Sequence, residues 1–149
     1  MRIASQRFRF LVMAVVAAVG LWAAPAARAA DPELSPADRA AIHQVVQNQL
    51  DAFQKDDGAK AFSFASPAIR SIFMNSDNFM SMVKTGYAPV YRPREIQFGP
   101  IEHIEGVPVQ HVFLVGPDGA GVDALYYMER EQDGTWRING CELRQGNAA

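Results

Sequence analysis

Apolar residues recur at helical spacing in the first half of the chain and alternate in the second. Ile42, Val46, Leu50 and Phe53 stand four, four and three apart and line one face of a helix that runs through Gln54. Ser35 at its N-cap, Pro36 at the first helical position and Asp38 in the first turn mark its start. Asp56-Asp57-Gly58 breaks it, and Asp57 is placed to cap a short second helix carrying Ala61, Phe62, Phe64 and Ala65. Ser66-Pro67 repeats the start signal for a third helical piece through Ile69, Ile72 and Phe73. Ser76 opens a fourth, expected to close at Thr85-Gly86 with Gly86 in the left-handed position.

From Tyr87 the pattern changes, because Pro89, Pro93, Pro100 and Pro108 exclude long helices and β-branched and aromatic residues take over. Four strands are predicted, at Arg94 to Ile104, Val107 to Val115, Gly121 to Gln132 and Thr135 to Leu143. Gly116-Pro117-Asp118-Gly119 and Asp133-Gly134 are the best-marked turns between them. Helices first and antiparallel strands second make an α+β fold, with the N-terminal helices packed on a four-stranded antiparallel sheet.

Strand register follows from side-chain chemistry. A three-residue loop at Gln132-Asp133-Gly134 sets Glu129 opposite Arg137, Met128 opposite Ile138 and Arg130 opposite Trp136, whereas a two-residue loop would put Arg130 against Arg137. If Gly116 pairs with Ala120, one face carries Gln110, Val112, Leu114, Val122, Ala124, Tyr126, Met128, Trp136 and Ile138, and the helices should cover it. Trp136 is expected under the first helix near Leu50 and Phe53. The other face carries Val109, His111, Phe113, Val115, Asp123, Leu125, Tyr127, Glu129, Arg137, Asn139, Cys141 and Leu143. That mixture of large apolar groups and charges suggests a second covering, by a partner subunit or a ligand.

Composition adds a compartment. Arg2, Arg7 and Arg9, the apolar run Phe10 to Ala24 and the small residues of Ala27-Arg28-Ala29 read as a signal peptide over residues 1–29, leaving a single domain over 30–149. The purely apolar stretch is shorter than the ~20 residues of a bilayer span, so no stable membrane anchor is expected after cleavage. The expected location is periplasmic or secreted, in a bacterium. All sixteen acids follow residue 30, while four of the fourteen bases lie before it. Ten bases against sixteen acids give the mature chain a net charge of about −6, which argues against nucleic acid and anionic lipid surfaces as partners. Cys141 is the one cysteine, so no internal disulfide forms. It reads as a small half-buried residue, with an intermolecular disulfide as the alternative.

Candidate chemistry is sparse. His103, Glu105 and His111 approach a metal-ligand pattern, provided the Gly106 turn has an odd register; solvated hairpin residues are the default reading. His111, Asp123 and Tyr127 share the mixed face with Glu129, and a tyrosine near an acid suits enolate stabilisation. Tyr87, Tyr91, Tyr126, Trp136, Phe62 and Phe79, with Met74, Met80, Met82 and Met128, would line a soft apolar pocket, or else belong to the core. Nothing calls for a cofactor.

Several segments carry a family resemblance: Gln49-Leu50-Asp51-Ala52-Phe53, Ala65-Ser66-Pro67-Ala68-Ile69-Arg70, Val90-Tyr91-Arg92-Pro93 and Asp133-Gly134-Thr135-Trp136-Arg137-Ile138-Asn139-Gly140-Cys141. Together they resemble an exported bacterial family known as domain of unknown function 4864. The order of elements also resembles the nuclear-transport-factor-2-like superfamily. That resemblance implies a cone of helices in a curved sheet, with a pocket between them. It also implies an outer sheet face that often meets a second subunit, here through Phe113, Leu125, Tyr127, Glu129 and Arg137. The functional expectation is a non-catalytic exported module that binds a partner protein or a small apolar ligand and forms a homodimer. The alternative is a small-molecule isomerase or dehydratase of ketosteroid-isomerase type, which would show itself by a closed polar pocket with a buried acid.

Overall fold

Among the described residues, five helices precede a four-stranded antiparallel sheet in strand order β1-β2-β3-β4, an α+β arrangement. The computed structural model describes residues 33–146, so the expected leader and its cleavage site lie outside the described residues. The helices are α1 (Pro36–Gln54), α2 (Gly58–Ser63), α3 (Pro67–Phe73), α4 (Ser76–Gly86) and α5 (Ala88–Tyr91). The strands are β1 (Glu95–Ile104), β2 (Val107–Val115), β3 (Gly121–Arg130) and β4 (Trp136–Gln145). Among the described residues no helix is long and apolar enough to cross a membrane.

The start of α1 follows its sequence signals. The Ser35 hydroxyl accepts the Asp38 N–H at 3.0 Å and donates to the Asp38 carboxylate at 2.6 Å. Ile42, Val46, Leu50 and Phe53 are buried, and Gln49 joins them by donating its Nε2 to the Ala61 carbonyl of α2 at 3.1 Å. Gly58 is required where α2 meets α4: a Cβ there would stand 2.7 Å from Met80 Cγ.

Three helix boundaries differ from expectation. Phe64 and Ala65 leave α2, because the Phe64 carbonyl accepts the Ile138 N–H at 2.9 Å and the Ser66 N–H donates to the Ile138 carbonyl at 2.8 Å. That short parallel bridge covers the outer edge of β4. Asn75, rather than Ser76, caps α4, since its side chain reaches the Asn78 N–H at 2.9 Å. Gly86 is helical rather than left-handed, because Tyr87 caps α4 and the chain turns at once into α5, a helical turn the sequence pattern missed.

The sheet holds the expected registers at its marked turns. Glu129 stands opposite Arg137, Met128 opposite Ile138 and Arg130 opposite Trp136, with Gly134 at φ +85°. Gly116 N–H donates to the Ala120 carbonyl at 2.9 Å, and Gly119 takes φ +83°. Val112, Leu114, Ala124, Tyr126, Met128, Trp136 and Ile138 form one core with the α1 face. A bulge at Asn139 then overturns the assignment of Cys141 and Leu143. Tyr127 pairs with Gly140 while Met128 pairs with Ile138, so the extra residue moves Cys141 opposite Tyr126 and Leu143 opposite Ala124, onto the helix-covered face. The side-chain period of two makes any one-residue insertion invert every position beyond it. A second bulge at Gly99-Pro100 places Ile101 beside Ile96 and Phe98 on the inner face; Pro100, with no N–H to lose, suits it.

Candidate functional site

An apolar cavity of about 420 Å³ lies between α3, α4 and the β3–β4 side of the sheet. Gln49 and Phe53 of α1 close one end; Ile69, Ile72 and Phe73 of α3 and Phe79, Met82 and Val83 of α4 form the helical wall. Tyr87 and Val90 follow from α5 and its cap, and Tyr126, Ile138, Gly140 and Cys141 form the sheet wall. The volume lies within the range of small-molecule sites.

Local structure explains the walls. The Ser66 hydroxyl caps α3 by accepting the Ile69 N–H at 3.2 Å and donates to Asn139 Oδ1 at 2.7 Å, tying the start of α3 to the β4 bulge. The bulge in turn faces Cys141 into the cavity. At the far end of α3, Met74 has φ 67° and ψ −38°, and the Asn75 N–H donates to the Phe73 carbonyl at 2.8 Å, a tight γ-turn that ends the wall. No residue of α3 is fully buried, and Ile72 is 69% exposed at the rim.

The polar groups of the lining are few and uncharged. Among the described residues it contains no Asp, Glu, Lys, Arg or His. The Tyr87 hydroxyl donates to the Cys141 carbonyl at 3.0 Å. Burial pushes the Tyr87 phenol up, the Tyr126 phenol well up and the Cys141 thiol up to about 12, so all three stay protonated at neutral pH. Tyr126 is 1% exposed, and among the described residues its hydroxyl has no hydrogen-bond partner.

Of the sequence-predicted lining residues, the cavity brings together Phe79, Met82, Tyr87 and Tyr126 and leaves out Phe62, Met74, Met80, Tyr91, Met128 and Trp136. Met128 belongs to the core. Tyr91 bonds to Asp56 and stacks beneath the Arg92 guanidinium, 4.0 Å from its ring, while Arg92 caps the end of α1 through the Phe53 carbonyl at 2.6 Å. Trp136 is buried, but not near Leu50 and Phe53. Its indole N–H donates to Asp38 at 3.1 Å, so it packs at the opposite end of α1. The lining residues on α3 and α4 carried a signal in the sequence as apolar helical positions, yet that signal does not separate cavity from core.

The other candidates stand apart from the cavity. His111 and Asp123 do meet, Nδ1 to Oδ2 at 2.9 Å, and Glu102 lies 3.4 Å from His111 Nε2, forming a line across β1, β2 and β3 on the outer face. Tyr127 turns away from that pair and donates to Glu142 at 3.1 Å. His103 pairs with Pro108 and so lies on the opposite face from His111, while Glu105 sits in the turn at φ 51°. Among the described residues no three His, Cys, Asp or Glu side chains are arranged to hold a metal ion. On the same outer face Phe113 is 43% exposed, but Leu125 is fully buried within the chain. Glu129 and Arg137 face each other by register without forming an ion pair.

Residues 35–149 match the family model described as Domain of unknown function (DUF4864). No curated protein and no solved structure matches the chain.

Proposed function

The chain belongs to the Domain of unknown function (DUF4864) family, and we propose that it binds a small, uncharged apolar ligand in the cavity between α3, α4 and the sheet, without catalysis. The observation that carries this reading is the lining itself: an apolar space of about 420 Å³ whose described residues offer no carboxylate, imidazole or ammonium group. Apolar ligands gain by leaving water for such a space, and an acid or base for proton transfer is what the isomerase alternative would need there. The Cys141 thiol, held protonated by burial, is a poor nucleophile at neutral pH.

Titration with the fluorescent apolar probe N-phenyl-1-naphthylamine tests the reading. Micromolar binding is expected, and Met82→Trp, which fills the cavity from α4, should weaken it at least tenfold while leaving the circular dichroism unchanged. Equal affinity in the two proteins would place the probe elsewhere and remove the proposal.

Three further elements of the proposal rest on sequence character and on the outer face. Residues 1–29 have the make-up of a leader, which supports export to the periplasm or beyond. Kinship with the nuclear-transport-factor-2-like superfamily is supported by the order of helices and sheet and by the cavity between them. Homodimerisation through the outer sheet face would centre on Phe113 and Tyr127, because Leu125 has no free surface to offer. Light scattering of the mature protein, before and after Phe113→Glu, tests the dimer: a monomer in both samples would remove it.

A further inference from the structure

We infer that the ligand carries one uncharged hydrogen-bond acceptor, a carbonyl oxygen of the ketone or ester class, which meets the hydroxyl of Tyr126. The inference rests on the binding reading above and narrows it. Tyr126 lines the cavity, is buried, and has no partner for its hydroxyl among the described residues. A buried hydroxyl without a partner destabilises the fold, and phenylalanine at this position would fill the same space without that penalty. The penalty is removed when an acceptor comes from the cavity side. The hydroxyl oxygen has almost no accessible surface, so contact requires a small side-chain adjustment of this wall, as is common on binding.

The neighbouring groups restrict the acceptor's charge. The Tyr87 hydroxyl is already engaged with the Cys141 carbonyl, and Gln49 Nε2 with the Ala61 carbonyl. No cation stands in the described lining to neutralise a carboxylate, whose burial without a partner is far costlier than that of a neutral oxygen. A fatty acid is therefore disfavoured against a ketone or ester of the same shape.

Three probes of nearly equal shape separate the possibilities: 2-acetylnaphthalene, 2-ethylnaphthalene and 2-naphthoate. Each is measured by calorimetry on the wild type and on Tyr126→Phe, whose fold is checked by its circular dichroism and urea midpoint. The wild type should bind the ketone roughly tenfold tighter than the ethyl compound, the effect of one buried hydrogen bond in place of an unpaired hydroxyl, and bind the carboxylate weakest. Tyr126→Phe should lose the ketone preference and keep its affinity for the ethyl compound. Equal binding of ketone and ethyl compound by the wild type, or a ketone preference that survives in Tyr126→Phe, overturns the inference but leaves the cavity reading standing. Tightest binding of the naphthoate overturns it as well. Failure of all three probes to bind overturns both.

Discussion

Replacing Ser66 by alanine should lower stability by ~2 kcal/mol. Ser66 is fully buried, and its hydroxyl has two roles: it accepts the Ile69 N–H as the cap of α3 and donates to Asn139 at the β4 bulge. Losing a serine cap costs ~1 kcal/mol, and losing a hydrogen bond of this kind another ~1 kcal/mol. For a folded region of this length a change of 1 kcal/mol moves the thermal midpoint by about 4 °C, so a fall of about 8 °C is expected. Urea unfolding of a chain of residues 30–149, followed by the fluorescence of Trp136, gives the free energy directly, and an unchanged slope would show that the compactness of both states is preserved. The Asn139→Ala variant and the double variant complete a cycle whose coupling energy should be ~1 kcal/mol. A Ser66→Ala midpoint within error of the wild type, or zero coupling to Asn139, would refute the claim that this hydroxyl joins the cavity's helical wall to its sheet wall.

Three other outcomes follow from the same contacts. Trp136→Ala should cost ~3 to 5 kcal/mol, the range for losing a large buried aromatic, and an unchanged urea midpoint would contradict its burial beneath the first turn of α1. Asp38 should contribute to acid sensitivity: the Ser35 hydroxyl and the Trp136 indole N–H hold its carboxyl below the usual range. Its stabilising effect is therefore present above the ordinary carboxyl pKa of about 3.9 and lost as pH falls through the lower folded value. Asp38→Asn should flatten the stability profile between pH 5 and pH 2, and an identical slope would refute it. Cys141, held protonated by burial, should react with iodoacetamide at pH 8 roughly a hundredfold or more slower in the folded protein than in urea; equal rates would show a thiol exposed to solvent.

Local chemistry was enough to define most of the elements. The apolar spacing of Ile42, Val46, Leu50 and Phe53 carries a whole helix face, because a helix presents every third or fourth residue to one side whatever it packs against. The Glu129–Arg137 register was legible because only one loop length avoids two facing arginines, and Gly134 supplies the positive φ which that loop needs. The Gly116–Ala120 register placed His111 and Asp123 on the same face, while the meeting of their side chains at 2.9 Å is decided by the tertiary structure. The strand pattern did not carry the bulge at Asn139. Asn139 is extruded because Ile138 bonds sideways to Phe64 and Ser66, residues more than seventy positions away, and no feature within the strand encodes a partner so distant. That one insertion turns Cys141 from the outer face to the cavity wall. Trp136 shows the same limit, since its place along α1 depends on which indole partner is in reach, and that partner proved to be Asp38. The cavity itself lies furthest from sequence reading. Phe79 and Met82 suit a pocket lining or a core equally well in an apolar pattern, and whether they meet other side chains or a cavity of about 420 Å³ is decided by the angle at which α3 and α4 stand off the sheet.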